Sequence, residues 1–73
     1  MTPEAASAAI KECLKEIRQR LDRAAAIANA AEACADAGST DQAITIVLEI
    51  EELSYEVNTF LNAATLMKRS VDS

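Results

Sequence analysis

Residues 10–35 of the chain are IKECLKEIRQRLDRAAAIANAAEACA. Apolar residues recur in this stretch at alternating spacings of four and three positions, at Ile10, Leu14, Ile17, Leu21, Ala24, Ala28, Ala31 and Ala35. This heptad pattern is typical of a helix that packs one apolar seam against a partner helix. The same pattern returns later in the chain, at Ala43, Val47, Ile50, Ser54, Val57, Leu61 and Ala64. The sequence therefore predicts two long helices.

The ends of the first helix are marked by residues that favour helix termini. Thr2 can cap the helix, and Pro3 suits its first turn, where the N–H that proline lacks would have no helical acceptor. Nothing in the sequence interrupts the helix until Gly38, which can adopt the left-handed conformation that often follows a helix C-terminus. We therefore predict a first helix over about residues 3–37 and a turn at residues 38–39.

The second helix begins with the residues of a capping box. The Ser39 side chain can cap the helix, and Gln42, three positions later, can reach back to the main chain of Ser39. We predict that this helix runs from about residue 40 to about residue 69 and that a frayed tail follows it. The predicted fold class is all-α, an antiparallel helical hairpin with two long helices.

Folding the chain back at the turn lays the two predicted seams against each other. In the register that fits both heptads, Leu21 faces Val57 and most small residues face large ones, which permits a close approach of the helices. The layer of Ala24 and Ser54 is small on both sides. We therefore expect that a side chain from elsewhere can enter it.

Length and charge limit the classes of function. Residues 1–73 suffice for one domain, and a single core of this size contributes only about 3–5 kcal/mol unless something reinforces it. The formal net charge is −5, and no basic residue lies between Ser39 and Met67. Such a surface repels phosphate groups, so nucleic acid and anionic lipid are not expected as general partners. Without an apolar run of about 20 residues or a signal peptide, we expect a soluble cytoplasmic protein.

A further apolar row lies beside each predicted seam, and we call the two rows together the apolar strip. Its members are Cys13, Arg20, Ile27 and Cys34 on the first helix and Ile46, Leu53, Phe60 and Met67 on the second. We expect that two helices alone leave this strip uncovered, and exposed apolar surface of that extent favours association. The first expectation is a homodimer that forms a four-helix bundle. The alternative is a binding face for a different protein.

Arg20 is the one charged member of the apolar strip, and the register places it beside Phe60. In the simpler interpretation its aliphatic stem packs at the edge of the bundle while its guanidinium reaches water. In the other interpretation it determines specificity, because it stacks on Phe60 or pairs with an acidic residue of the partner.

The groups that usually carry catalysis or bind metals are missing from the sequence. The chain has no histidine, and Cys13 and Cys34 lie too far apart on one helix for a disulfide within the chain. Glu49, Glu52 and Glu56 follow helical spacing, but the glutamates of bundle metal sites are combined with histidine. We therefore expect a solvated acidic face, reduced cysteines, no metal, no cofactor and no enzymatic activity.

An RNA-binding helical hairpin is the alternative function. It would use a basic ridge on the first helix, formed by Lys11, Lys15, Arg18 and Arg23. Glu12 and Glu16 are interleaved with these basic residues and can form intrahelical pairs with Lys15 and Arg20. A balanced surface of ion pairs is therefore the preferred interpretation of the ridge.

The second helix carries a possible contact with a further protein. Leu48 and Tyr55 lie outside the seam and the strip, and Tyr55 is flanked by Glu52 and Glu56. Tyrosine is common at interface hot spots, and the acidic residues would suit a basic partner. The sequence as a whole thus predicts a small acidic, non-catalytic interaction protein, such as an adaptor, inhibitor or regulator, that works as a homodimeric bundle.

Overall fold

The computed structural model describes residues 1–72, which form three helices. They are α1 (Pro3–Asp36), α2 (Thr40–Val47) and α3 (Glu49–Asp72). After the turn that follows α1, both α2 and α3 pack back against α1, and the molecule measures 54 × 14 × 11 Å. The predicted all-α helical hairpin is therefore confirmed, with a bend in its second arm.

The end of α1 is a Schellman turn centred on Gly38. This residue has a φ of +95°, as the sequence predicts. The Gly38 N–H donates to the Ala35 carbonyl at 2.9 Å, and the Ser39 N–H donates to the Cys34 carbonyl at 3.0 Å. A Cβ atom built on Gly38 would meet nothing within 4 Å. Glycine is therefore favoured at this position by the positive φ and not by a lack of space for a side chain.

The two predicted helix caps differ in outcome. Thr2 caps α1 as predicted, because its Oγ1 accepts a hydrogen bond from the Ala5 N–H at 3.1 Å. The capping prediction for Ser39 is wrong, because its side chain makes no capping hydrogen bond. Its φ of −103° and ψ of 63° lie outside the extended region from which a capping side chain reaches the helix.

The predicted second helix is divided at Leu48. The Glu51 N–H donates to the Leu48 carbonyl, three residues back, at 3.1 Å, which is the spacing of a tighter 3₁₀-like turn. The four residues before the bend, Ile44–Val47, are all β-branched and disfavour a regular helix. This run of residues is the local signal for the bend.

The C-terminal helix is longer than predicted. α3 continues to Asp72, so Ser70–Asp72 are helical where we expected a frayed tail. An ion pair of 2.9 Å between Lys68 Nζ and Asp72 Oδ2 spans the last turn. Ser73 lies outside the described residues.

The seam between the arms is rotated by one row relative to the prediction. Each arm carries three neighbouring apolar rows of seven-residue spacing, which are the row of the apolar strip and the two rows of the predicted seam. A hairpin of two helices can turn only two of these three rows inward. Within residues 1–72, the inward rows supply every buried residue, namely Ala6, Cys13, Ala31, Ala43, Leu53 and Ala64. The third row points outward, and Leu14 and Leu21 are exposed although we predicted them in the seam.

Candidate interaction surface

The residues of the apolar strip lie between the arms of the hairpin. Cys13 and Leu53 are each 9% exposed. The other six members, Arg20, Ile27, Cys34, Ile46, Phe60 and Met67, are half-buried. The expectation that two helices leave this strip uncovered holds only in part, because Cys13 and Leu53 are buried whereas the other six members keep part of their surface exposed. That these residues also contact a second chain stays a prediction.

Arg20 connects the two arms of the hairpin. Its Nε donates to Glu56 Oε1 at 2.8 Å, and its Nη1 donates to the carboxylate of Glu16 and, at 3.0 Å, to the Glu16 main-chain oxygen. The guanidinium carbon lies 4.6 Å from the centre of the Phe60 ring. Stacking on Phe60 and pairing with an acidic residue thus both occur, but within one chain.

The surroundings of Arg20 favour its charged form. Hydrogen bonding to Glu16 raises the pKa of the Arg20 guanidinium, partial desolvation opposes this effect, and the bond to Glu56 adds to the increase. The predicted Glu16–Arg20 pair is confirmed. Glu56, which we expected on a solvated acidic face, is instead half-buried and bonded across the seam.

One side of the hairpin is polar. A cleft of about 560 Å³ opens there between α1 and α3. It is lined by Gln19, Arg20, Arg23, Ile27, Glu49, Glu52, Leu53 and Glu56. Arg23 therefore lies beside acidic residues and not with the basic ridge, because five residues of helix turn it about 140° away from Arg18.

The opposite side of the hairpin is apolar, and we call it the exposed apolar face. It comprises the exposed residues Leu14, Leu21, Ala28, Ser54 and Leu61 and the half-buried Val47 of α2. Leu14 and Leu21 are each 54% exposed, and Leu61 is 50% exposed. This face arises from the third apolar row of each arm, which we predicted to lie inside the seam.

A hollow of about 230 Å³ lies on the exposed apolar face. It is lined by Arg20, Leu21, Ala24, Leu53, Ser54, Val57 and Asn58. Both pairs that the predicted register places opposite each other, Leu21 with Val57 and Ala24 with Ser54, line this hollow, and the space lies at the layer whose side chains are small.

The outer surface of the second arm carries the other predicted contact residues. Tyr55 is 74% exposed and Leu48 is 53% exposed, and Glu52 is exposed as well. Of the four residues that we predicted as partner contacts, only Glu56 is engaged inside the hairpin.

The remaining basic residues of the ridge lie on the outer surface of α1. Lys11 and Lys15 are exposed, and Arg18 pairs with Asp22 at 3.2 Å. In the part of the chain that the structure describes, no ion pair joins Glu12 to Lys15, although we predicted one. The ridge therefore has three members on one surface.

Cysteines, metals and membranes add no further site. Cys13 is buried and Cys34 is half-buried, and neither forms a disulfide. Within residues 1–72, no group of three or more His, Cys, Asp or Glu side chains is arranged to hold a metal ion. None of the described helices is both long and apolar enough to cross a bilayer.

Comparison of the chain with protein-family models, with curated proteins and with solved structures finds no match. Sequence reasoning missed the exposed apolar face because it assigned Leu14, Leu21 and Leu61 to the seam. The available signal was the presence of three neighbouring apolar rows on α1, of which a hairpin can bury two.

Proposed function

We propose that this chain is a non-catalytic interaction protein that works as a homodimeric four-helix bundle. The observation that carries the proposal is the exposed apolar face, on which Leu14, Leu21 and Leu61 are each at least half exposed. Apolar residues that line one side of a small molecule favour association, because their burial removes that surface from water. A second hairpin would cover the face and give each helix two helical neighbours.

The pattern of apolar rows also supports a bundle. A helix in a four-helix bundle faces two neighbours and needs a wider apolar sector than a helix with one neighbour. In α1 the row that contains Ile17 and Ala24 lies at the centre of this sector, between the apolar strip and the outward row of Leu14 and Leu21. A lone hairpin uses only part of the sector.

A homodimer would keep other surfaces free for a further protein. Tyr55 and Leu48 are well exposed, and the exposed Glu51 and Glu52 lie between them in the sequence. An exposed aromatic residue among carboxylates suits a basic partner. We propose the role of an adaptor, inhibitor or regulator, and two unpaired cysteines suit the reducing cytoplasm as its location.

The test of self-association is the solution mass of the protein, measured by light scattering over a dilution series. We expect about twice the chain mass of 7.8 kDa for the parent protein. Because Leu21→Asp with Leu61→Asp places charges on the face, we expect this double variant to be a helical monomer. Leu66→Asp is the matched control, since Leu66 is 62% exposed but lies outside the exposed apolar face. A parent monomer, or an unchanged mass in the double variant, would contradict the proposal.

RNA binding has weaker support. Lys11 and Lys15 are accessible, but Arg18 is paired with Asp22 and Arg23 lies beside Glu49 and Glu52 on another side. The remaining charge density on one surface is small for the recognition of a phosphate backbone.

A further inference from the structure

We infer that the second copy covers the exposed apolar face with its turn at the opposite end of the bundle, so that α1 lies antiparallel to the partner's α1. A two-fold axis can relate two face-to-face hairpins in two ways. An axis perpendicular to the hairpins places the turns at opposite ends, and an axis parallel to them places both turns at one end. The inference rests on the proposed self-association and concerns the direction of the partner.

Side-chain size changes along the exposed apolar face. We call residues 25–53 the loop half of the hairpin, and residues 1–24 with 54–72 the open half. All three leucines of the face, Leu14, Leu21 and Leu61, lie in the open half, and Ser54 lies at its boundary. The loop half contributes only the smaller residues Ala28 and Val47. Opposite turns bring the leucines of each copy against the smaller residues of the other. Turns at the same end would oppose leucine with leucine and leave the alanine end underfilled, which close packing disfavours.

Charge divides along the same boundary. Residues 25–53 carry six acidic and no basic side chains, whereas the rest of the chain carries seven basic and six acidic ones. With both turns at one end, two clusters of six carboxylates would lie side by side. Opposite turns place each acidic loop half beside an open half that contains all the basic residues. Electrostatic complementarity therefore favours the same arrangement as side-chain size, and the two arguments are independent.

Spin labels at the turn can distinguish the two arrangements. The variant Ser39→Cys, with Cys13→Ala and Cys34→Ala, accepts one nitroxide for each chain, and Ser39 has no side-chain capping bond to lose. With opposite turns, double electron–electron resonance should give about 40–55 Å between the labels, because about 1.5 Å of rise for each residue separates the turns. With turns at one end, the labels should lie within about 25 Å, since packed helices are about 8–10 Å apart.

A second labelled variant, Glu4→Cys in the same cysteine-free background, reports from the other end of α1. It should also give a long distance, and it remains informative if the first variant does not fold. The mass and the helicity of each labelled protein are measured in parallel. A dimer with long distances supports the inference, and a dimer with short distances overturns the orientation while self-association stands. A helical monomer overturns the proposed self-association itself.

Discussion

The polar side and the apolar side of this hairpin differ in how the seam between the two arms is covered. On the polar side, Arg20 reaches across the seam to Glu56, so that a charged side chain closes the contact between the arms. On the apolar side, Leu21 and Leu61 stand at the edge of the seam and stay about half exposed. On the polar side the two arms are thus joined by a hydrogen bond within one chain, whereas the apolar side leaves apolar surface that a second copy can bury.

The difference between the two sides predicts which substitutions change the stability of the hairpin and which change its association with a second copy. Substitutions in the seam or on the polar side should change the stability of the hairpin at every protein concentration. Substitutions on the exposed apolar face should act mainly on association, as in the mass measurement of the Leu21 and Leu61 variant. Residues outside both sides should have little effect on either property.

The largest effect should come from Leu53, which lies in the seam that both sides share. Leu53→Ala removes a side chain that is 9% exposed. A buried leucine truncated to alanine costs about 2–5 kcal/mol, which is comparable to the whole stability of a domain this small. We expect the loss of most helical circular dichroism at 25 °C. Leu66→Ala, at an exposed site, should shift the free energy of unfolding by less than about 0.5 kcal/mol. Equal free energies of unfolding for the two variants would show that Leu53 in the seam contributes no more to stability than an exposed residue.

A smaller effect should follow from the substitution of Arg20 on the polar side. Arg20→Gln removes the bond to Glu56 across the seam, the pair with Glu16 and the stacking on Phe60. We expect a lower Tm than that of the parent by the same amount at every protein concentration, measured by thermal circular dichroism.

The matched control for Arg20 is Arg18→Gln. Arg18 makes a single ion pair with Asp22, and both side chains are well exposed, so its loss should leave the Tm almost unchanged. If the control lowers the Tm as much as Arg20→Gln does, the contact across the seam does not distinguish the polar side.

The smallest effect concerns the basic ridge, which belongs to neither side. Lys15→Glu with Arg18→Glu should leave both the mass and the Tm nearly unchanged. Neither this variant nor the parent should bind a mixed RNA duplex with salt-sensitive affinity in fluorescence anisotropy. Salt-sensitive binding by the parent that the double variant loses would favour the RNA alternative.

Local chemistry made much of the fold predictable. The heptads identified both arms, Thr2 and Gly38 marked the ends of α1, and the register brought Arg20 next to Phe60. The local errors have local causes. The β-branched run before Leu48 keeps the helical periodicity, so the pattern alone does not show the bend. The ion pair between Lys68 and Asp72 supports a last helical turn at residues that by themselves favour a frayed end.

The candidate site was less predictable than the fold. The seam heptad correctly showed that a row of apolar residues needed a partner helix, but Leu14 and Leu21 were placed in the seam and the strip outside it. With three adjacent apolar rows on one helix, the heptad pattern is the same whether the seam buries the row of Leu14 and Leu21 or the row of the apolar strip. Rotation of the helix by one row exchanges the buried row with the exposed one.

The sequence by itself thus determined that the chain makes two helical arms and where the chain turns between them. These properties depend on residues that are close in sequence and on a periodicity that any one helix displays. Only the tertiary structure decided which apolar row each arm buries. That choice depends on contacts between residues far apart in the chain, such as Arg20 with Glu56, and their combined energy exists only when both arms are packed together.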